Sequence, residues 1–414
     1  MSKNTSSTMD LGMSLKEFEA ELERLESAFE NMPPELELTV RDPELDLEGY
    51  VVVFNTLASL GGPLGRCGKG GTRISKSVEL SEVVMLARSM TLKNAAAGLP
   101  LGGAKSAIKA DPNEPDFERK YRRFVSLVKP ILVENGGIFG GFGFDIGASP
   151  KHAIWACDEL QSKRCFTGKP LNMGGTDYDK EGIAGLGVAI AAKTAVEFSG
   201  KSLSEVTAAV QGLGAMGAAV VRYFTEFGGT VTFIADPLIG GTYHFPEGLP
   251  TEIRERIVGF DLPTAKRLIT EGGFKKLSLD EVLYQKVDVL FPCAFQNVIN
   301  ADNVDRIVSK FVIEAANNPC SEEARTRLFE KKITLVPDFI ANSGGIMAAY
   351  VEMISTISPE ENVITRKNVT DSKTLTENKI AANVKNLLEL AKSLDIAPAR
   401  VGRFIALTNI LNRR

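Results

Sequence analysis

A glycine-spaced turn after a short apolar run is the feature of this sequence that most constrains its fold. Residues 204–211 contain the apolar run VTAAV, and residues 212–217 are GLGAMG. In this spacing Gly212 allows a tight turn, Gly214 lets a ligand approach the backbone closely, and Gly217 lets the following helix pack on the strand. The first turn of that helix favours a phosphate charge. The pattern therefore predicts a strand, turn and helix that bind the pyrophosphate of a dinucleotide.

A carboxylate at the end of the next predicted strand indicates which dinucleotide is bound. Residues 230–235 are an apolar run that predicts a strand, and Asp236 follows it directly. There the carboxylate can accept a hydrogen bond from a ribose 2'-hydroxyl. It would repel a 2'-phosphate, and no arginine occurs in residues 237–241, so NAD is favoured over NADP. The alternative is that Asp236 only begins a turn.

The pattern after about residue 180 is typical of a doubly wound parallel sheet. Residues 183–198 predict a buried helix, and short apolar runs between helical segments recur at 287–290, 311–313 and 333–336. A chain of 414 residues also exceeds the size of most single cores. We expect an α/β protein with a first α/β domain, a Rossmann-type doubly wound NAD-binding domain, and C-terminal helices that pack back on the first domain. These parts are predicted at residues 1–179, 180–344 and 345–414.

Composition excludes several classes of partner and site. The formal net charge of -4 gives no general attraction to nucleic acid or to anionic lipid. The N-terminus is polar, and no apolar run is long enough to span a membrane, so neither export nor membrane insertion is expected. Five cysteines without a C-x-x-C pair fit reduced thiols in the cytoplasm. Because only two histidines exist, histidine-based catalytic triads and multi-histidine metal sites are nearly excluded, and no metal is expected.

Lysines lie in or beside glycine-rich stretches of the first domain. The stretches are residues 61–71, 98–104 and 136–147, and the lysines are Lys69, Lys93 and Lys105. A lone lysine is usually a solvated surface charge. Lysines that recur beside tight glycine turns instead indicate a site at which the backbone approaches a ligand closely.

The motifs of this chain, in their order, resemble those of the glutamate/leucine/phenylalanine/valine dehydrogenase family. The matching segments are GKGGTR, MTLKNAAAGLPLGGAKSAI, FDIGASP, GLGAMG, DVLFPCA, EAANNP and VPDFIANSGGI, and they span roughly residues 45–355. The resemblance implies reversible, NAD-dependent oxidative deamination of an L-amino acid to a 2-oxo acid and ammonia. It also implies that the first domain binds substrate and mediates oligomerisation, with a homohexamer as the expected assembly.

The same resemblance assigns roles at the reacting centre. Lys93 matches the lysine that holds the substrate α-carboxylate, Lys105 the lysine that activates the attacking water, and Asp145 the carboxylate that shuttles protons at the substrate nitrogen. This chemistry needs a base near neutral pH, because water must attack the imine left by hydride loss. A desolvated lysine near other ammonium groups has a lowered pKa and can act as that base.

Two asparagines that match the family's motifs and one residue that departs from them bear on cofactor binding. Asn317 and Asn342 resemble the family's asparagines near the nicotinamide, although either can also be a capping or turn residue. Residues 181–187 depart from the usual E-A-T-G-Y-G, with Ala184 where threonine is usual. The usual threonine contact is therefore not predicted here.

Two residues bear on the side chain of the substrate, and they indicate different substrates. In glutamate-type members a lysine and a serine hold the side-chain carboxylate; Lys69 matches the lysine, but Ala349 stands at the serine's place. KNAAAGLPLGG is closer to leucine-type members. Because a buried lysine without an anion is costly, glutamate is favoured. The alternatives are an apolar or unusual amino acid, with Lys69 turned to solvent or satisfied by backbone, and a non-catalytic regulatory homologue that binds amino acid or nucleotide.

Overall fold

The computed structural model describes residues 12–412, which form two compact units. The first unit contains residues 25–181, 345–375 and 405–412. The second unit contains residues 12–24, 182–344 and 376–404. The segment 345–414, predicted as one piece on the first domain, is thus divided between the units.

The first unit is built around a mixed sheet with a fully buried central strand. Its strands are β1 (Leu36–Asp42), β2 (Leu47–Asn55), β3 (Gly68–Lys69), β4 (Thr72–Ile74), β5 (Gly102–Ile108), β6 (Phe142–Gly143) and β7 (Phe166–Thr167). Strands β1 to β5 form a five-stranded sheet in the order β1-β2-β5-β3, and β4 also pairs with β5. Every residue of β5 is buried. This strand runs antiparallel to β2 and parallel to β3 and β4, so it lies at the centre of the unit.

Helices cover this sheet, and β6 and β7 form a separate two-stranded parallel sheet that contacts β3 through Lys69. The first helices along the chain are α1 (Leu15–Glu30), α2 (Leu80–Ala96), α3 (Phe117–Val128), α4 (Pro150–Leu160) and α5 (Tyr178–Glu181). Helix α2 packs on β5. A Cβ atom at Gly103 would lie 2.1 Å from Thr91 Oγ1, so only glycine lets α2 approach this strand so closely. The glycine-rich stretch therefore serves close packing of helix on sheet.

The second unit contains the predicted doubly wound sheet. Its strands are β8 (Thr207–Gln211), β9 (Thr230–Asp236), β10 (Gly241–His244), β11 (Lys275–Leu277), β12 (Val289–Pro292), β13 (Phe311–Ile313) and β14 (Thr334–Val336). They form a seven-stranded sheet in the order β11-β10-β9-β8-β12-β13-β14. Strands β8, β9, β12, β13 and β14 are parallel, which confirms the sequence prediction. From β8 the chain continues to β9 and β10 on one side of the sheet and returns later to β12 on the other side. The carboxyl end of β8 is therefore the topological switch point, the place at which such sheets bind ligands.

The edge strands β10 and β11 are antiparallel and were not predicted from the sequence. Gly240 and Gly241 reverse the chain directly after β9, with φ values of 90° and 156°. These strands are only four and three residues long, so their apolar pattern is too short to recognise.

Helices of the second unit pack through small residues. The remaining helices of the chain are α6 (Ile183–Phe198), α7 (Ala215–Glu226), α8 (Thr251–Val258), α9 (Leu262–Glu271), α10 (Glu322–Glu330), α11 (Asp338–Ala341), α12 (Gly344–Ile354), α13 (Pro359–Thr365), α14 (Lys367–Leu394) and α15 (Pro398–Leu411). A Cβ atom at Gly185 would lie 2.4 Å from the Ala219 Cβ, and one at Gly187 would lie 2.5 Å from Ile380 Cδ1. The second contact joins α14 to α6, which explains why residues 376–404 belong to this unit. Among residues 12–412, no helix is both long and apolar enough to cross a membrane.

Candidate active site

A buried lysine and a carboxylate meet at the centre of the first unit. Strand β5 places Lys105, which is only 6% exposed, so that its Nζ lies 3.1 Å from Asp145 Oδ2. Arg73 donates from Nε to the same oxygen at 2.9 Å, and its other end contacts Glu82 of α2. A Cβ atom at Gly71 would lie 2.3 Å from the Phe144 carbonyl oxygen, so glycine is required where the segment before Asp145 passes β4. The structure thus brings the two predicted catalytic residues together.

Burial and neighbouring charges have opposite effects on the pKa values of Lys105 and Asp145. Burial lowers the pKa of Lys105, and the nearby Asp145 charge opposes that effect only in part. Burial alone would raise the pKa of Asp145, but the positive charges of Lys105 and Arg73 outweigh it and hold that pKa below its usual value. Asp145 is therefore a carboxylate near neutral pH, while Lys105 is shifted toward its basic form.

Arg73 was missed in the sequence analysis, although it lies in the GKGGTR motif. Its contacts with Asp145 and Glu82 fix the carboxylate that the sequence analysis assigned to proton transfer. The sequence did contain a signal for Arg73, because it lies four residues after Lys69 in the same glycine-containing motif.

The other predicted substrate residues of the first unit lie on separate elements. Lys93 is partly buried in the last turn of α2, the helix that packs on β5. Ala349 lies in α12, is 6% exposed, and offers no hydroxyl group. Lys69 lies in β3, opposite Gly103 of β5 and therefore close in register to Lys105.

The amine of Lys69 is held by backbone carbonyls. Its Nζ donates to the oxygens of Gly141 at 2.8 Å, Phe142 at 2.5 Å and Gly70 at 3.4 Å. The side chain is 3% exposed, and burial lowers its pKa to about 7. This corresponds to the alternative in which Lys69 is satisfied by backbone.

A buried ion pair beside this region was not foreseen. Lys169 Nζ lies 2.6 Å from Glu352 Oε2, and both side chains are buried. The other Glu352 oxygen accepts from the backbone nitrogens of Gly168 at 3.0 Å and Thr176 at 2.7 Å, and from the Thr176 hydroxyl at 2.5 Å. The pair joins α12, which carries Ala349, to the chain around β7. No spacing in the sequence links residues 183 positions apart.

The glycine turn of the second unit has the geometry that a pyrophosphate needs. Gly212 has a φ of 87°, which other residues rarely adopt. A Cβ atom at Gly217 would lie 1.8 Å from the Gly212 carbonyl oxygen, so glycine is required for the helix to start there. Gly214 is exposed at the start of α7, and a Cβ atom there would meet nothing within 4 Å. The backbone in front of α7 is therefore open to a ligand.

Asp236 holds this turn with both of its oxygens. Oδ2 accepts from the backbone nitrogen of Leu213 at 2.8 Å, and Oδ1 accepts from that of Leu238 at 2.8 Å. The second bond is the turn contact that the alternative interpretation requires. Because each carboxylate oxygen has a further lone pair, the same group can still accept from a ribose hydroxyl.

The two predicted asparagines contact each other at the end of the parallel sheet. Asn342 Nδ2 donates to the Ala315 oxygen at 3.0 Å and to Asn317 Oδ1 at 3.1 Å. Asn342 is buried and its Oδ1 has no hydrogen-bond partner among residues 12–412, whereas Asn317 is exposed. A buried acceptor without a partner fits an amide donor from a ligand such as a carboxamide.

A buried charge network supports these asparagines. Arg325 Nη2 lies 2.7 Å from Glu314 Oε2 and 3.2 Å from Asp338 Oδ1. Asp338 Oδ2 in turn accepts from the backbone nitrogen of Asn318 at 3.0 Å. Burial raises the pKa of Glu314 to about 7, against the effect of the Arg325 charge. The network thus fixes the segment that presents Asn317.

Replacing Lys69 by methionine should change how stability depends on pH. In the folded chain the Lys69 pKa is about 7, whereas an unfolded lysine keeps its proton up to about pH 10.4. Between these values the unfolded state binds more protons, so wild-type stability rises with pH relative to Lys69→Met. Thermal unfolding from pH 7 to 10 should show the wild-type Tm gaining several degrees, about 2–4 °C per kcal/mol, on the variant.

The exposed Lys76 provides the control for this measurement. Lys76→Met should show no such trend, because that side chain is 71% exposed. An unchanged Tm difference across the pH range would contradict the buried amine at Lys69.

Comparisons with known proteins agree with this arrangement of motifs and units. The family described as Glutamate/Leucine/Phenylalanine/Valine dehydrogenase matches residues 174–410, and its dimerisation domain matches residues 34–162. An NADP(+)-dependent glutamate dehydrogenase of Pyrobaculum calidifontis is 32% identical over 320 residues, 75% of this chain and 73% of the relative. An NAD-specific glutamate dehydrogenase A of Halobacterium salinarum is 32% identical over 299 residues, 70% of this chain and 66% of the relative.

The fold also matches a solved structure. The hetero-hexameric glutamate dehydrogenase of Thermus thermophilus, in a leucine-bound form, superposes with a TM-score of 0.71 at 26% identity, covering 100% of this chain and 98% of that one. These matches span both units and confirm the predicted resemblance. The chain belongs to the glutamate/leucine/phenylalanine/valine dehydrogenase family.

Proposed function

We propose that this chain catalyses the reversible, NAD-dependent oxidative deamination of an L-amino acid to the 2-oxo acid and ammonia. The observation that carries this proposal is the contact of 3.1 Å between Nζ of the buried Lys105 and Oδ2 of the partly buried Asp145. It pairs a base of lowered pKa with an ionised carboxylate, which are the two groups that hydrolysis of an imine requires.

Each of these side chains has a distinct task in the proposed reaction. When bound, the dinucleotide accepts a hydride from the substrate. Lys93 holds the substrate α-carboxylate, and Lys105 in its basic form removes a proton from the water that attacks the imine carbon. The Lys105 ammonium formed in this step passes its proton to Asp145 through their contact, and Asp145 delivers it to the departing nitrogen. Arg73 keeps Asp145 ionised and oriented.

Substitution of either Lys105 or Asp145 should strongly reduce turnover without affecting the dinucleotide site. Lys105→Ala and Asp145→Asn should each lower kcat by about 10² to 10⁴, the range for loss of a general acid or base. Fluorescence titration should show unchanged NAD affinity, because the glycine turn lies in the other unit.

Two nearby residues serve as matched controls. Lys109→Ala and Asp111→Asn remove the same groups from surface ion pairs with Glu79 and Lys76 and should leave kcat unchanged. Retained activity in Lys105→Ala or Asp145→Asn would refute the assigned roles. A purified wild-type chain without any turnover would favour the non-catalytic regulatory alternative.

The preference for NAD rests on Asp236. Its buried carboxylate lies at the end of β9 beside the glycine turn, where it would repel a 2'-phosphate. The names of the relatives include both NADP(+)-dependent and NAD-specific enzymes. We expect kcat/KM to be higher with NAD than with NADP by about tenfold or more, as like-charge repulsion implies. A clear NADP preference in initial-rate assays would overturn this part of the proposal.

Substitutions at two glycines of the turn distinguish an effect on dinucleotide binding from an effect on the folding of the second unit. Gly214→Ala adds a methyl group that meets nothing in the protein, so the chain should fold normally and yet bind NAD at least about tenfold more weakly, since the methyl group occupies the pyrophosphate's approach. Gly217→Ala forces a clash with the Gly212 carbonyl and should lower Tm as well. Calorimetry and thermal unfolding measure the two effects. Undiminished NAD affinity in Gly214→Ala would place the dinucleotide elsewhere.

We further propose that the chain works as a homohexamer in the cytoplasm. The match of residues 34–162 to a dimerisation domain and the hetero-hexameric relative support an assembly through the first unit. All five cysteines are free and buried, which suits a reducing compartment.

The relatives and the geometry of the first unit favour different substrates. The named relatives are glutamate dehydrogenases, and the presence of Lys69 agrees with them. The carbonyl partners of Lys69 and the absence of a hydroxyl at Ala349 favour a side chain without charge.

A further inference from the structure

We propose that Cys157 and Cys165 form a redox-active thiol pair, which a hydroperoxide oxidises reversibly to a disulfide. The statement about the thiols concerns the first unit alone. Its second part, that this disulfide lowers turnover, rests on the proposed function.

The two thiols already contact each other. Cys157 lies in the last turn of α4, Cys165 directly precedes β7, and the Cys165 Sγ donates to the Cys157 Sγ at 3.9 Å. Ser162 holds the turn between them, because its backbone nitrogen donates to the Cys157 oxygen at 3.1 Å and its own oxygen accepts from Cys165 Sγ at 3.3 Å. A disulfide places its sulfurs about 2.0 Å apart, so the two side chains must approach by only about 2 Å.

The surroundings make Cys157 the more reactive thiol of the pair. The hydrogen bond from Cys165 lowers the pKa of Cys157, and the positive charges of two lysines, Lys169 and Lys163, act in the same direction. Burial and the Glu352 carboxylate oppose this effect only in part. The same hydrogen bond, together with burial, raises the pKa of Cys165. Cys157 is therefore the thiolate that attacks an oxidant, and Cys165 is the thiol that resolves the product.

The limited exposure of the pair selects a small oxidant. Cys157 is 6% exposed and Cys165 is 1% exposed. Cys165 also lines a small cavity together with Gly141 and the exposed Arg164. A hydroperoxide is compact enough to reach sulfurs in such a position, whereas a bulky disulfide such as oxidised glutathione is not.

The oxidation proceeds in two balanced steps. The Cys157 thiolate attacks one peroxide oxygen and the O–O bond breaks. The hydroxide that leaves takes up the proton that the thiol has lost, which yields water and a sulfenic acid at Cys157. Cys165 then attacks this sulfur, the S–O bond breaks, and the departing hydroxide takes the Cys165 proton to form a second water. The two thiols lose two electrons, the peroxide gains them, and a dithiol reductant reverses the change by exchange.

Cys165 is joined to the strand that leads to the reacting centre. Its backbone oxygen accepts from the Phe142 nitrogen at 2.7 Å. A Cβ atom on Gly141 would lie 2.3 Å from the same oxygen, so β6 packs directly on this residue. Asp145 follows Phe142 by three residues. A shift of Cys165 toward Cys157 is therefore transmitted to the carboxylate that the proposed function uses for proton transfer.

Peptide mapping tests the thiol pair directly. Reduced wild-type protein is treated with hydrogen peroxide, its remaining thiols are blocked with N-ethylmaleimide, and it is digested with trypsin without reductant. Lys163 and Arg164 lie between the two cysteines, so the disulfide joins two separate tryptic peptides. We expect this linked pair, lighter by two hydrogen atoms than the sum of its peptides, and we expect dithiothreitol to abolish it. Blocked thiols at both positions after peroxide treatment would overturn the proposal.

Variants connect the disulfide to turnover. Wild-type kcat should fall by about tenfold or more on oxidation and recover with dithiothreitol, since displacing a catalytic group by about 1 Å can cost about 10²-fold. Cys157→Ala should give no linked peptides and keep its kcat. Cys165→Ser, which retains a hydroxyl donor for the Ser162 oxygen, should add oxygen to Cys157 without a link.

Cys67 provides the matched control in the same unit. It is a buried thiol whose pKa burial raises to about 12, so it is a poor nucleophile. Cys67→Ser should form the linked peptides and lose kcat on oxidation as the wild type does.

The outcomes distinguish the thiol pair from the proposed function. Equal loss of kcat in wild type and Cys157→Ala, or linked peptides without loss of kcat, would overturn the transmission to Asp145. A chain that is inactive before oxidation with every amino acid and either dinucleotide would overturn the proposed function, whereas the linked peptides would still support the thiol pair.

Discussion

The contact between the buried Lys105 and the partly buried Asp145 is the interaction on which the arrangement of the first unit depends. Two opposite charges can be buried only when each is paired and its remaining hydrogen-bonding positions are used. Arg73 supplies a second cation to Asp145 and is itself held by Glu82 on α2. The glycines around this cluster are needed for close approach. Gly71 and Gly103 let backbone segments and α2 pass where any side chain would collide.

The second unit uses the same principle in a different setting. Arg325 lies between Glu314 and Asp338, and Asp338 holds the backbone that presents Asn317. In each unit, a polar group to which the proposed function gives a ligand contact is held in place by a charged side chain with little exposure, Arg73 in the first unit and Asp338 in the second. Such support keeps the geometry of a site within the narrow limits that catalysis requires.

The sequence predicted the second unit well because its elements are local. The glycine turn, the parallel strands β8, β9, β12, β13 and β14, and helix α6 each have a signal within a few residues. Lys105 and Asp145 were predicted through the family motifs, and the structure places them in contact. The pairing of Lys169 with Glu352 had no such signal, since it joins residues from distant parts of the chain. The expectation of glutamate rests on Lys69, and no local sequence pattern predicts the contacts of its amine with the carbonyl oxygens of Gly141 and Phe142.

The ion pair between Lys169 and Glu352 also constrains the order in which the chain can fold. The whole of residues 182–344 lies between these two partners in the sequence, and that stretch forms most of the other unit. During synthesis Lys169 therefore emerges long before the carboxylate that neutralises it. Until α12 has left the ribosome, the first unit contains a lysine that cannot be buried without an unpaired charge. All strands of the seven-stranded sheet, residues 207–336, are synthesised before that point, so this sheet can form first. Helix α14, which packs on α6 through Ile380, emerges after α12, so the second unit is in turn completed only after the carboxylate of Glu352 is available.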